Sequence, residues 1–299
     1  MRVFVTGASG WIGSAVTEEL LANGHEVLGL ARSDASARAL EARGAQVLRG
    51  DLDDLDSIRT GSGGADAVIH LANKHDFANQ AVSNKAERDA VETIGETLAG
   101  SNRPFVFASG MAGAGPGKLL TENEASPFSG PDSPRGGSEN RAFDYVERGV
   151  RSIAARFSPT VHGTHDHGFI AEIVRVAREK GVAGYVEDGS NRWPAVHVSD
   201  AARLVRIGLE QAEAGTILHA VGEQGVPTRE IAEAIGRGLG LPVKSIARDD
   251  AAAHFGWIGG FFGLDIPASS DLTQQRFGWT PTGPTLVEDL DGGAYYEGQ

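Results

Sequence analysis

Arg2-Val3-Phe4-Val5-Thr6-Gly7-Ala8-Ser9-Gly10-Trp11-Ile12-Gly13 is the stretch on which the fold turns. Residues 2–6 alternate β-branched and aromatic side chains in a short run, the pattern of a buried strand. Residues 11–22 repeat apolar side chains at Ile12, Ala15, Val16 and Leu20, the spacing of a helix face, and Asn23-Gly24 supplies its stop. Between strand and helix lie three glycines, each there for a physical reason. Gly7 makes the sharp turn off the strand, Gly10 lets the backbone approach a pyrophosphate, and Gly13 lets the helix pack on the sheet. The first helical turn then presents N–H groups to an anion, with Ser9, Trp11 and Ile12 in the same turn. A phosphate loop of the triphosphatase kind needs a lysine after its last glycine. Ser14 follows Gly13, so that reading is disfavoured.

The alternation continues outward from this unit. Strands are expected at 26–31, 46–49, 66–72, 104–109 and 151–157, with helices at 34–43, 53–60, 85–99 and 138–148. Strand–helix alternation calls for an α/β fold, a Rossmann-type doubly wound parallel sheet with helices on both faces. Further helices are expected at 168–180, 199–213, 228–239 and 248–255, with short strands at 183–186, 195–198 and 216–221. We read residues 1–160 as the dinucleotide-binding domain and 161–299 as a smaller C-terminal α/β substrate region, with segments near 190–225 returning to the first domain. Residues 110–138 are rich in Gly, Ser and Pro with no period. They read as a lid or binding loop, or as a surface excursion.

Composition bounds the partners. The chain has 299 residues, 41 of them glycine, and 27 basic against 40 acidic side chains for a net charge of −13. A protein this acidic is not expected to gather on nucleic acid or on an anionic membrane surface. No apolar run approaches the ~18 residues of a membrane span, and the amino terminus lacks the apolar core of a signal peptide. Cysteine is absent, which removes disulfides, thiolate metal sites and a catalytic thiol. These features fit a cytoplasmic protein acting on a small molecule.

The end of the second strand bears on the cofactor. Enzymes that use NAD place an acid there, on the ribose 2′-hydroxyl. This chain has Leu30-Ala31-Arg32-Ser33, and Asp34 comes later. Arg32 can pair with a 2′-phosphate and Ser33 can add a hydrogen bond, so NADP(H) is expected. The alternative is that Arg32 is a solvated strand-end charge.

These residues resemble the extended and atypical short-chain dehydrogenases/reductases, the NAD(P)-dependent epimerase/dehydratase-like group. Thr6 to Gly13 has their TGxxGxxG spacing. Asp51-Leu52 looks like their adenine-contacting pair, and His70-Leu71-Ala72-Asn73 like their loop beside the adenosine ribose. Arg156-Phe157-Ser158-Pro159-Thr160-Val161-His162-Gly163 is similar to their segment beside the nicotinamide. That places Ser158, Pro159 and Val161 at the cofactor. Trp193-Pro194-Ala195-Val196-His197-Val198-Ser199-Asp200 resembles a second family segment.

The resemblance implies a catalytic serine with a Tyr-x-x-x-Lys pair, in which the lysine lowers the tyrosine pKa for proton exchange. Ser109 matches the serine. Arg135 falls at the tyrosine position, Glu139 at the lysine position and Asp89 at the asparagine position. Tyr145, the nearby tyrosine, has Gly149 four residues on. The family tetrad is therefore degenerate, and other groups are candidates. His162 is a candidate proton donor, since histidine titrates near neutrality. His165, His167, Phe169, Trp193 and His197 are candidate substrate-pocket residues, with core packing as the alternative for the aromatics. His162, His165 and His167 lack the spacing of a zinc pair, so no metal is expected. The aromatic run from His254 to Phe262 reads as an apolar cap or a homodimer contact, and Arg276 to Pro281 as a closing structural segment.

Three functions stay open: an NADP(H)-dependent oxidoreductase acting on a small carbonyl or alcohol, a cofactor-binding sensor without turnover, and an epimerase or dehydratase.

Overall fold

The computed structural model describes residues 1–74, 76, 79–111, 115 and 117–296. Its strands are β1 (Arg2–Thr6), β2 (Glu26–Ala31), β3 (Gln46–Arg49), β4 (Ala67–His70), β5 (Pro104–Gly110), β6 (Arg151–Phe157), β7 (Thr160–His162), β8 (Ala183–Val186), β9 (Arg192–His197), β10 (Thr216–Ala220), β11 (Glu223–Pro227) and β12 (Val243–Ile246). Its helices are α1 (Trp11–Ala22), α2 (Asp34–Ala42), α3 (Leu55–Gly63), α4 (Gln80–Leu98), α5 (Ser138–Asp144), α6 (Phe169–Lys180), α7 (Val198–Gln211), α8 (Thr228–Leu239), α9 (Ala251–Phe255), α10 (Gly259–Phe262), α11 (Asp271–Phe277) and α12 (Leu286–Asp291).

The main sheet has 7 strands in the order β10-β6-β5-β4-β1-β2-β3. β1 pairs in parallel with β2 and β4, β2 with β3, and β4 with β5. Strand order reverses between β1 and β4, the switch point of a doubly wound Rossmann sheet. The expected fold class is therefore the observed one. On one face, Phe4, Val68, Phe105 and Phe107 pack against Ile58, Val91 and Ile94. A side chain of this size contributes about 1.5–3 kcal/mol when fully buried.

The chain divides into two compact units. The first holds Met1–Ser109, Ala125–Arg156 and Ala202–Leu218, and the second holds Gly110–Glu124, Phe157–Ala201 and His219–Gln299. From the region near 190–225, the stretch Ala202–Leu218 belongs to the first unit. The second unit has a 3-stranded sheet, β11-β9-β7, and a 2-stranded one, β12-β8. Its core gathers Ile173, Trp193, Ile231, Ile235, Phe255, Phe262 and Leu286.

Several expected elements shift. The strand expected at 195–198 runs over Arg192–His197 instead, because Arg192 and Trp193 pair with β11 and α7 begins at Val198. The helix expected at 85–99 begins at Gln80, because residues 80–85 add about a turn and a half that is largely exposed, with Gln80, Ala81, Val82 and Lys85 outward and Ser83 buried. The helix expected at 138–148 is a 3-10 turn, Pro134–Gly137, followed by the short α5; Gly149 beyond it has φ +74°. In the 110–138 loop, residues 112–114 and 116 lie outside the described residues. Elsewhere the loop is tied down: Leu120 bridges Ala268, and the Asn140 amide donates to the carbonyls of Ser126 and Phe128.

Candidate cofactor and active site

The first unit carries the glycine turn. Gly7 has φ +70°, a conformation L side chains avoid, and a Cβ there would lie 2.7 Å from the Ala72 nitrogen. A Cβ on Gly13 would sit 1.9 Å from the Gly7 carbonyl oxygen. The first glycine thus makes the turn and the third seats α1 on it, as their spacing implies. Gly10 is the N-cap of α1. No side chain caps it, and the first turn holds no acid. A helix N-terminus in that state is suited to an anionic group.

Arg32 follows β2, is exposed, and makes no ion pair or hydrogen bond among the described residues. Ser33 is a structural residue whose side chain caps α2 by accepting the Ser36 N–H at 3.1 Å. Arg49, which sequence reasoning passed over, donates to the Ser33 carbonyl at 2.7 Å and pairs with Asp34. It thereby offsets the one acid close to Arg32 in sequence.

Asp51 accepts the N–H groups of Asp53 (2.8 Å) and Asp54 (3.1 Å), so its carboxylate shapes the loop after β3. Leu52 is buried in the first unit's core. Leu71 and Ala72 donate their N–H groups to Thr6, and Asn73 donates to Glu87 at 2.6 Å. Thr6 and His70 are register partners on β1 and β4, with Oγ1 and Nδ1 2.7 Å apart. Burial, with the nearby Arg135 charge second, lowers the His70 pKa to about 3.

Ser109 sits near the carboxyl end of β5, half-buried. Its hydroxyl donates to Glu139 Oε2 at 2.5 Å. The same carboxylate is gripped by the guanidinium of Arg156, Nη2 to Oε1 at 2.5 Å and Nε to Oε2 at 3.1 Å, and both side chains are buried. Arg135 pairs with Glu87, which is itself buried, Nη2 to Oε1 at 2.5 Å. Asp89 pairs with Lys85 on an exposed stretch of α4. Tyr145 is buried against α4, its hydroxyl within 3.1 Å of Glu96 Oε1 and 3.3 Å of the Glu92 carbonyl, and burial pushes its pKa up to about 12. Arg135 and Glu139, expected at the tyrosine and lysine positions, are both ion-paired, and Tyr145 is packed against α4.

The second unit holds the histidines, and the structure separates them. His162 and His197 are register partners on β7 and β9, ring centroids 5.6 Å apart. His162 is wholly enclosed: Nδ1 lies 2.6 Å from Asp289 Oδ2, and Nε2 lies 3.9 Å from Glu223 Oε2 with no hydrogen-bond partner among the described residues. That burial closes it to a ligand, which corrects its reading as a proton donor. Burial also raises the Glu223 carboxyl above the usual range. The backbone N–H of Ser199 donates to His197 Nδ1 at 3.3 Å, and burial lowers the His197 pKa. His165 and His167 lie on an exposed turn, His165 with φ +73°. Among the described residues no group of three His, Asp or Glu side chains is arranged to hold a metal.

Trp193 is also corrected from pocket to core. It is fully buried among Phe169, Phe261 and Phe262, with Phe169 half-buried beside it. Ser158 donates to the Ala220 carbonyl at 2.8 Å, Pro159 is half-buried, and Val161 is buried. Asp200 accepts the N–H groups of Thr282 and Gly283, and Trp279 donates to the Asp200 carbonyl. The segment ending at Pro281 is thereby fastened in place.

A protein of Schizosaccharomyces pombe described as uncharacterised is 45% identical over 297 residues, 99% of this chain and 100% of its own. The 4-hydroxy-2-methyl-3-oxo-4-farnesyl-3,4-dihydroquinoline-1-oxide ketoreductase of Stigmatella aurantiaca is 25% identical over 73% of this chain and 67% of its own. The solved structure of the dTDP-glucose 4,6-dehydratase DesIV of Streptomyces venezuelae, with NAD and TYD bound, matches with a TM-score of 0.79 over 98% of this chain and 96% of its own. At 22% identity that likeness speaks to the fold alone. The family model described as the NAD dependent epimerase/dehydratase family matches residues 3–221, and the chain belongs to that family.

Proposed function

We propose that the protein is an NADP(H)-dependent oxidoreductase acting on a small carbonyl or alcohol compound. The observation that carries the reading is the N-terminus of α1 above the Gly7–Gly13 turn, without a side-chain cap, and Arg32 at the next strand end, without a partner among the described residues. The residues fit a dinucleotide. Gly7, Ser9, Gly10, Trp11, Ile12 and Gly13 would hold the pyrophosphate, and Arg32 with the Ser33 turn the 2′-phosphate. Asp51, Leu52, Leu71, Ala72 and Asn73 would border the adenosine. For the second unit, taken by itself, cofactor contact stays the expected role of Ser158, Pro159 and Val161, and substrate contact that of His165, His167, Phe169 and His197. When bound, the nicotinamide supplies hydride exchange. Ser109 would orient the reacting group, and because its partner among the described residues is Glu139 rather than a tyrosine or lysine, we assign the exchanged proton to solvent.

A second reading, a cofactor-binding sensor without turnover, is supported by one observation: Arg135 and Glu139, the residues the family resemblance aligns with its acid–base pair, are both committed to buried partners. An epimerase or dehydratase, as the family's name implies, shares the cofactor site and demands more base chemistry than these side chains offer.

Titration with NADPH and NADH, followed by fluorescence, tests the proposal. NADPH is expected to bind more tightly. Arg32→Ala should weaken NADPH by about 1.5–3 kcal/mol, a charge-assisted bond's worth, and leave NADH unchanged. Binding of neither cofactor would overturn the reading.

A further inference from the structure

The Ser109 hydroxyl has a fixed direction. An ionised carboxylate can only accept hydrogen bonds. Glu139, ion-paired through both oxygens to a wholly buried guanidinium, is such a carboxylate. In the 2.5 Å contact between Ser109 Oγ and Glu139 Oε2 the serine must therefore be the donor. A hydroxyl has one proton and two lone pairs. The proton is spent on Glu139, and among the described residues no N–H or O–H donates to Ser109 Oγ, so the lone pairs are what Ser109 offers to a ligand.

The place is one where a ligand belongs. Ser109 is half-buried near the carboxyl end of β5, on the edge of the parallel sheet that also carries the Gly7–Gly13 turn after β1 and Arg32 after β2. Open α/β sheets bind their ligands outside that edge.

The geometry points to Ser109 as a fixed hydrogen-bond acceptor, held so by Glu139 and Arg156, which recognises a hydroxyl donor: the ligand class is an alcohol, and a carbonyl oxygen at the same place meets lone pairs rather than a proton. This rests on the oxidoreductase reading above, and names the functional group its site takes. Glu139 and Arg156 are positioning residues that act through Ser109. The arrangement also explains why a glutamate stands where the family keeps a lysine. A lysine would donate, and would leave the serine proton free to turn toward a ligand.

The test is ligand-observed NMR on the full chain with tetrahydro-NADP, a cofactor analogue that cannot give up hydride. The probes are matched pairs: cyclohexanol and cyclohexanone, 1-phenylethanol and acetophenone, glycerol and dihydroxyacetone. NADPH affinity is measured on the same preparation, so failure of the cofactor reading registers separately from failure of this one. In the native protein the alcohol of a pair should bind about tenfold more tightly than its ketone, one well-made hydrogen bond. Ser109→Ala should bring the ratio to about one. The double variant Glu139→Leu with Arg156→Met removes both charges, a replacement that buried pairs commonly tolerate. It frees the serine proton and should shift the preference toward the ketone, which a merely structural ion pair would not do. A ratio near one in the native protein, no binding by any pair, or a ratio unchanged in Ser109→Ala would overturn the inference. Ser109→Ala alone decides it should the double variant not fold.

Discussion

His162 Nδ1 lies 2.6 Å from Asp289 Oδ2, joining β7 to α12 inside the second unit, and the imidazole has no exposed surface. Burial without a partner is what makes such a bond matter. Once Asp289 is removed, the Nδ1–H has neither water nor acceptor, and the cost is that of an unsatisfied buried donor, about 1–3 kcal/mol. Asp289→Ala should therefore lower the stability read from urea unfolding by that amount, with a matching fall in the midpoint. Asp291, on the same helix, pairs with the exposed Arg237. Asp291→Ala is the control and should leave the midpoint where it is, because solvent screens an exposed pair. Equal effects from the two substitutions would mean that α12 is fastened by something other than the histidine.

Gly13→Ala tests the dinucleotide turn directly. Its Cβ would fall 1.9 Å from the Gly7 carbonyl oxygen, which is backbone and has no rotamer to move into. The start of α1 must then lift off the turn. We expect a loss of about 1–3 kcal/mol, the usual cost of overpacking, together with the loss of NADPH binding in the fluorescence titration. Retained NADPH affinity in a folded Gly13→Ala protein would show that this helix end does not hold the phosphates.

Tyr145→Phe separates packing from catalysis. The ring of Tyr145 is buried, and its hydroxyl meets Glu96 and the Glu92 carbonyl within the first unit. Removing the hydroxyl should cost roughly 0.5–1.5 kcal/mol of stability, one hydrogen bond's net worth. NADPH binding and any reductase activity should be unchanged. A folded Tyr145→Phe protein that had lost activity but kept its cofactor would restore this tyrosine as the proton donor.

Residues 2–13 and the strands that follow were readable because each element obeys its local period and each glycine has a steric reason to be there. The ends of elements were less readable. α4 starts at Gln80 through a stretch whose two apolar residues, Ala81 and Val82, are exposed and mark no buried face, and Arg192-Trp193 joins β9 through pairing with β11, a partner distant in sequence. In the candidate site, Ser109 and Glu139 were named from their positions, but their contact was not foreseen. Arg156 gave one clue: a charged residue in the otherwise apolar tail of β6, Ala154-Ala155-Arg156-Phe157, must find a buried partner or stay outside. Nothing local says that the partner is Glu139. The His162 pairing with Asp289 was hidden in the same way, since 127 residues separate them. Trp193 was ambiguous in sequence because an aromatic beside polar neighbours suits a pocket and a core equally, and only packing decides.

His70 makes stability depend on pH in a defined window. Its ring is buried beside Thr6, and burial together with the Arg135 charge lowers its pKa from the usual 6.5 to about 3. The unfolded chain therefore binds a proton at this residue below pH 6.5, while the folded chain does not until about pH 3. Because the unfolded state holds the extra proton, stability rises with pH across that interval and falls as the solution is acidified through it. The slope from this one residue is about 1.4 kcal/mol per pH unit. Groups such as Glu223, whose carboxyl is raised by burial, act with the opposite sign, so the residue's share is read from a difference. Urea unfolding of the native protein and of His70→Asn, at about pH 6.5, 5.5 and 4.5, should show the native protein losing stability faster by about that slope. Parallel losses in the two proteins would mean that His70 is protonated in the folded state, and that Thr6 holds a charged ring in the middle of the sheet.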